Sequence, residues 1–221
     1  VLFGQGGVVS GKHDDMTVAD MSTINPNATK EISKKLHDEG IKSIEIPVMG
    51  GPNVAIDGKL VLMASGDKES FERFSQVFNT IANKRFFLGE SGSAHSIKLA
   101  MNLQISLLAL SLSEGITLTK KAGFDPEIFL EILNSTYFST GMSQNKAFKM
   151  IKDEYQPTFT LKNMKKDLDT IIASAKDFDA KLPIAERANE IYEQALDAGF
   201  GEIDYTGILA YIKKLSETKN L

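Results

Sequence analysis

Up to about Gly92 the apolar positions of this chain fall in short runs; beyond it they keep helical spacing to the end. Thr17–Asp20 is a brief strand candidate that ends at the turn-like Ser-Thr-Ile-Asn-Pro of residues 22–26. An amphipathic helix follows over residues 30–39, started by Asn27 or Thr29 and closed by Gly40 as a left-handed terminator. Residues 41–46 alternate as a strand and stop at Pro47, while residues 59–64 are almost continuously apolar, as in a strand buried on both faces. Asp67 is placed to cap a helix over residues 68–81, and residues 84–88 form the last strand candidate. Strands and helices alternating through short loops predict an α/β layer.

After Gly92 the strand signals vanish. A long apolar helix is predicted from Ser93 to about Ala122, stopped by Gly123, with Lys120 and Lys121 suitably placed at its negative end. Asp125-Pro126 opens the next helix with proline at its first position. Further helices are expected over residues 141–152, 161–178, 183–198 and 206–216. No repeat, low-complexity tract or flexible linker intervenes. The expected division is therefore an α/β part over residues 1–91 and an all-α part over residues 92–221, joined through the long helix.

Composition narrows the function classes. With 221 residues, 42% hydrophobic and 24% charged, the chain can bury an ordinary core. A net charge of −4 argues against a nucleic-acid partner, which calls for a basic stripe. The absence of cysteine and the scattering of His13, His37 and His95 disfavour a metal centre. No secretory signal pattern opens the chain. The long helix is interrupted by Lys98, Asn102, Gln104 and serines, short of the ~18 uninterrupted apolar residues expected of a membrane span. A cytoplasmic setting without a membrane partner is the expectation.

Lys98 is the most informative residue, a lone ammonium in the longest apolar segment. A lysine there can lay its stem on apolar surface and reach water with its head. It can also be held for chemistry, because burial shifts its proton affinity. His95, Lys98 and Asn102 share one helical face, forming a polar stripe near the helix start. Directly after a strand comes Ile-Pro-Val-Met-Gly-Gly at 46–51, either a tight turn or a pair of open N–H groups for an anion. Asp-Met-Ser-Thr at 20–23 sits at a strand end, where α/β sheets bind ligands; a cap and turn is the other reading. The run from Phe159 to Leu168 reads equally as an amphipathic helix with a solvated face.

In this order the four motifs resemble the β-hydroxyacid dehydrogenases, the group of 3-hydroxyisobutyrate dehydrogenase, tartronate semialdehyde reductase and glyoxylate/succinic semialdehyde reductases. The family's D-x-S-T matches Asp20 to Thr23, and its A-P-V-S-G-G matches residues 46–51. Its G-x-G-x-x-x-K-x-x-x-N matches Gly92 through Lys98 and Asn102, with the leading glycine shifted toward residues 89–90. Its F-x-x-x-x-x-x-K-D-L matches Phe159 through Lys166, Asp167 and Leu168. The resemblance implies the C-terminal part of a Rossmann dinucleotide-binding domain followed by an all-helical domain, α/β plus all-α. It implies an oxidoreductase using NAD or NADP on a small carboxylate-bearing carbonyl or hydroxy substrate. Lys98 would be the general acid and base. Met49, Gly50, Gly51, Asn102, Phe159 and Asp167 would face substrate, with Asp167 also helping to position the lysine. Thr23 and Lys166 would contact cofactor.

Two departures stand against that pattern. The G-x-G-x-x-G fingerprint of a dinucleotide site is absent, and the resemblance aligns Val1 with the middle of the Rossmann domain. About two βα units, on the order of 60–70 residues, are expected upstream, among them the residues that separate NAD from NADP. Met49 stands where many relatives carry serine, which favours a semialdehyde or glyoxylate-type substrate over hydroxyisobutyrate. Relatives of the 6-phosphogluconate dehydrogenase type call for a longer helical domain, and imine-reducing relatives usually replace the lysine. The alternative outside enzymology is a non-catalytic helical dimerisation or scaffold module derived from the family. Because the Lys98 helix is apolar nearly all round, it needs cover on every side; a homodimer or homotetramer packed through the helical part is expected.

Overall fold

The computed structural model describes residues 1–217 and separates into two units, residues 1–101 and 102 onward. In the first, a short 3-10 turn at Val8–Gly11 precedes β1 (Thr17–Asp20), α1 (Pro26–Asp38), β2 (Lys42–Glu45), β3 (Val48–Met49) and α2 (Gly51–Ile56). Then come β4 (Leu60–Gly66), α3 (Lys68–Arg73), α4 (Ser75–Ile81) and β5 (Ala82–Phe87). Pro47 has no N–H for a ladder, so the strand predicted to stop there breaks and resumes as β3. Both pieces run antiparallel to β4, Ile44 opposite Gly66 and Val48 opposite Leu62. β1 is parallel to β2, and β5 is parallel to β4 on its other side. Ile44, Ile46, Leu62, Ala64 and Phe78 are buried on this mixed sheet, each large side chain worth roughly 1.5–3 kcal/mol of burial.

Several boundaries differ from the sequence expectation. The first helix starts at Pro26, because the Asn25 side chain accepts from the N–H groups of Asn27 and Ala28 and proline suits the first position. The helix expected over residues 68–81 divides at Phe74, whose backbone leaves the helical region (φ −92°, ψ 14°) while Phe71, Phe74 and Phe78 pack on the sheet. α2 was not foreseen. It begins at the Gly50-Gly51 pair, where two successive left-handed φ angles, 145° and 76°, turn the chain out of β3.

α5 (Ser93–Lys121) runs from the first unit into the second. It ends at Gly123 in a left-handed conformation, φ 87°. The second unit continues with α6 (Pro126–Asn134), α7 (Gly141–Asn145), α8 (Ala147–Ile151), α9 (Leu161–Asp177), α10 (Pro183–Asp197) and α11 (Ile208–Glu217). Residues 141–152 form two short helices rather than one, parted at Lys146, with Ser143 drawn into a reciprocal cap with Thr140. Asp204 accepts from Thr206 N–H and turns Tyr205–Gly207 into a 3-10 turn, so α11 starts later than residue 206. Leu112, Ile116, Leu130, Met150 and Leu209 form a buried cluster in this unit.

By length and composition α5 satisfies the criterion for a membrane-crossing helix, which the uninterrupted-run argument had denied it. It buries His95, Asn102, Ser106 and Ser113 within the fold, the pattern of a core helix. It is also not enclosed on every side: Ile97, Met101 and Leu118 are exposed.

Candidate active site

In the first unit the turn after β3 meets the start of α5. The Lys98 ammonium donates to the Val48 carbonyl at 2.8 Å and to the Met49 thioether sulfur at 3.0 Å. Lys98 is half-buried rather than enclosed, and its ammonium lies against the end of β3. Gly50 follows at once, where any side chain would be strained and its neighbours would have to shift. A Cβ there would come within 2.7 Å of Val54 Cγ1 and 2.9 Å of Leu60 Cδ2. A Cβ on Gly51 would meet open space, so that peptide stays accessible to close approach by a ligand.

Thr23 lies in the loop between β1 and α1. That loop is built by an Asx turn, the Ser22 N–H donating to Asp20 Oδ1 at 2.9 Å, and by the Asn25 cap. β1 and β2 are parallel, so Thr23 stands beyond carboxyl strand ends, the place where such sheets receive ligands.

Sequence reasoning missed Glu45. Strand alternation that buries Ile44 turns Glu45 toward solvent, yet both are buried, because β2 is covered on both faces. Ser65 Oγ donates to Glu45 Oε2 at 2.7 Å, and the Gly92 N–H and Ser91 Oγ each reach Oε1 at 2.5 Å. His95 Nδ1 lies 3.1 Å from Oε2. Burial alone would push the Glu45 carboxyl up; hydrogen bonds from His95, Ser91, Ser65 and the Gly92 backbone outweigh it and hold it below the usual range. The sequence signal was an acidic residue two positions before a strand-ending proline.

In the second unit Asn102 and Asp167 are both buried, and Asn102 Nδ2 donates to Asp167 Oδ2 at 2.6 Å. Asp167 Oδ1 lies 2.5 Å from Lys166 Nζ, an ion pair at contact distance without hydrogen-bond alignment, as adjacent helical positions require. The cap of α9 is Thr160, which accepts from the Asn163 N–H. Phe159, just before it, meets the Tyr205 ring edge-on at 6.2 Å. The structure thus joins Lys98 with Met49, and Asn102 with Asp167 and Lys166. Phe159 is held instead by Tyr205. Among the described residues no group of three or more His, Asp or Glu could hold a metal ion.

Residues 92–212 match the family model described as the NAD-binding domain of NADP-dependent 3-hydroxyisobutyrate dehydrogenase. The chain belongs to the β-hydroxyacid dehydrogenase family. Residues 1–89 match the model for the NAD-binding domain of 6-phosphogluconate dehydrogenase, so the α/β unit is the partial Rossmann domain expected. Glyoxylate/succinic semialdehyde reductase 1 of Arabidopsis thaliana is 30% identical over 213 residues, spanning 96% of this chain and 74% of the relative. The chloroplastic reductase 2 of the same plant is also 30% identical, with 96% of this chain covering 60% of its length. The 3-hydroxyisobutyrate dehydrogenase of Salmonella typhimurium superposes with a TM-score of 0.86 at 23% identity, over 93% of this chain and 72% of that one. That likeness establishes the shared fold: a β-hydroxyacid dehydrogenase sheet followed by helices.

Proposed function

We propose that this protein is an NAD(P)-dependent reductase of a small semialdehyde or of a 2-oxo or 3-oxo acid, with Lys98 as the general acid. The observation that carries the reading is the Lys98 ammonium held on the Val48 carbonyl and the Met49 sulfur, beside the Gly50-Gly51 turn. A thioether is a weak acceptor, so this contact is readily exchanged for a substrate oxygen. A reduced nicotinamide, when bound, supplies the hydride to the carbonyl carbon. The ammonium then stabilises the growing negative charge on oxygen and delivers a proton to it; in the reverse direction the amine takes it back.

Gly50 and Gly51 are assigned to the substrate carboxylate through their backbone N–H groups, and Met49 to its apolar portion. Asn102, Phe159 and Asp167 are assigned to the substrate, and Thr23 and Lys166 to the cofactor. The residues present fit the nicotinamide end of a dinucleotide, since the Thr23 loop follows parallel strand ends. A cytoplasmic enzyme that self-associates completes the proposal; exposed Leu118, Ile128, Ile132 and Phe138 in the helical unit support the self-association.

The test is the full-length protein with NADPH or NADH and a panel of small semialdehydes and glyoxylate, wild type beside Lys98→Ala. Reduction slowed by about 10²–10⁴-fold in the variant is the expected result. Equal turnover by both proteins, or by neither, overturns the assignment.

A further inference from the structure

Glu45 and His95 meet at the start of α5, with Nδ1 of the ring 3.1 Å from a carboxylate oxygen. His95 is wholly buried, and its Nε2 lies 2.8 Å from the Ser22 carbonyl oxygen. A carbonyl only accepts, so Nε2 carries a hydrogen. On the other side of the ring, Nδ1 lies 3.1 Å from Glu45 Oε2 and 3.2 Å from Thr29 Oγ1. Glu45 already receives Ser65, Ser91 and the Gly92 N–H, a donor set suited to an ionised carboxylate. Its contact with Nδ1 then calls for a second ring hydrogen, which makes the pair a charge-assisted bond.

The groups packed around the ring leave Glu45 as its charged partner. α1 contributes the Thr29 hydroxyl to the ring, while the Ser65 hydroxyl of β4 and the Ser91 hydroxyl of the loop before α5 go to Glu45. Asp20 is occupied with the Ser22 N–H, and the Lys30 stem runs beside Gly92, with Cε 2.8 Å from where a Cβ would sit. The contacts of this pair converge on two segments. One is the peptide between Ser22 and Thr23, held by His95. The other is the start of α5, where Gly92 N–H meets Glu45 and Ala94 N–H meets Ser65 Oγ at 2.9 Å, a turn before Lys98.

We propose that His95, carrying hydrogens on both ring nitrogens through its pairing with Glu45, is a positioning residue that fixes the Ser22–Thr23 peptide for the cofactor. The proposal rests on the assignment of Thr23 to the nicotinamide side. It gives His95 a role through Thr23 and no contact with substrate.

The experiment combines nitrogen NMR of histidine-labelled full-length protein with fluorescence titration of NADPH and NADH. Exposed His13 and His37 serve as internal references. In the buffer of the binding titration, wild-type His95 is expected to show a hydrogen on each ring nitrogen, and Glu45→Gln to return it to a single N–H. His95→Ala is expected to weaken cofactor binding by about tenfold. His95→Gln, which keeps a donor for the Ser22 carbonyl, is expected to restore it to within about threefold. A wild-type ring with one N–H overturns the proposal even if every variant misfolds. So does cofactor binding that is unchanged in His95→Ala, or no better in His95→Gln. Neither measurement needs a substrate, so failure to reduce any aldehyde overturns the reductase reading alone.

Discussion

The Lys98 ammonium rests on the sulfur of Met49 at 3.0 Å, where many relatives are expected to offer a serine hydroxyl. Sulfur accepts weakly and occupies more space than a hydroxyl. If Lys98 is the proton donor as proposed, Met49 is expected to set both how freely the ammonium moves and which substrates fit beside it.

Met49→Ser is expected to restore a hydrogen-bond partner for a substrate carboxylate. A bond to a charged group is worth about 1.5–3 kcal/mol, so KM for a hydroxyisobutyrate-type substrate should fall by about tenfold or more. KM for a short semialdehyde should rise or stay level. Steady-state kinetics on the two substrate classes checks this, and an equal effect on both would remove Met49 as a determinant of specificity.

The Gly50-Gly51 turn separates two kinds of strain. Gly50 combines φ 145° with a Cβ position 2.7 Å from Val54 Cγ1, so Gly50→Ala suffers both a forbidden backbone and a clash. It is expected to cost about 2–4 kcal/mol. Gly51→Ala has φ 76° and open space and should cost only about 1–2 kcal/mol. Urea denaturation of the two variants measures the difference.

Where local chemistry decides, the sequence was legible. Gly40, Gly123 and Asp125-Pro126 mark helix ends that the structure keeps, and the strand core of β4 follows its apolar run. Phe74 and Lys146 divide helices that periodicity joins, because aromatic packing and a side-chain cap override propensity. Among the candidate site residues, the Lys98 and Met49 pair of the first unit and the Asn102 and Asp167 pair of the second each link residues far apart in sequence, and only their order along the chain pointed to them. Glu45, the partner of His95, stayed hidden for a different reason. A buried carboxylate satisfied by donors from a strand, a loop and a helix start has no spacing rule, and strand alternation placed it outside.

Asp204 gives the second unit a stability that depends on acid. Burial would raise its carboxyl, but Thr158, Thr206 and Lys146 hold it below the ordinary value, about 3.9 in unfolded chains. A depressed folded value means the stabilisation is fully present above about pH 4 and is lost as pH falls through the lower folded value. Asp204→Asn should therefore be less stable than wild type at neutral pH, with the gap closing under acid. Denaturation midpoints measured from neutral pH down to about pH 2 test this, and a constant gap would show that the charge of Asp204 plays no part.

Asn102 and Asp167 are expected to be coupled, since the 2.6 Å bond between them is buried. Removing only the donor, in Asn102→Leu, leaves a carboxylate oxygen inside the helical unit without a partner, at a cost of about 2–3 kcal/mol. Replacing both residues by leucine removes the unmet acceptor along with its donor and should recover much of that loss. Lys166 does not penalise the double variant, because its side chain is 55% exposed and can turn to water. A double-mutant cycle in urea gives the coupling, and assays of the same proteins separate fold from function. If Asn102 and Asp167 face substrate as proposed, the double variant regains stability while its kcat/KM stays low. Recovery of both together would make the pair purely structural.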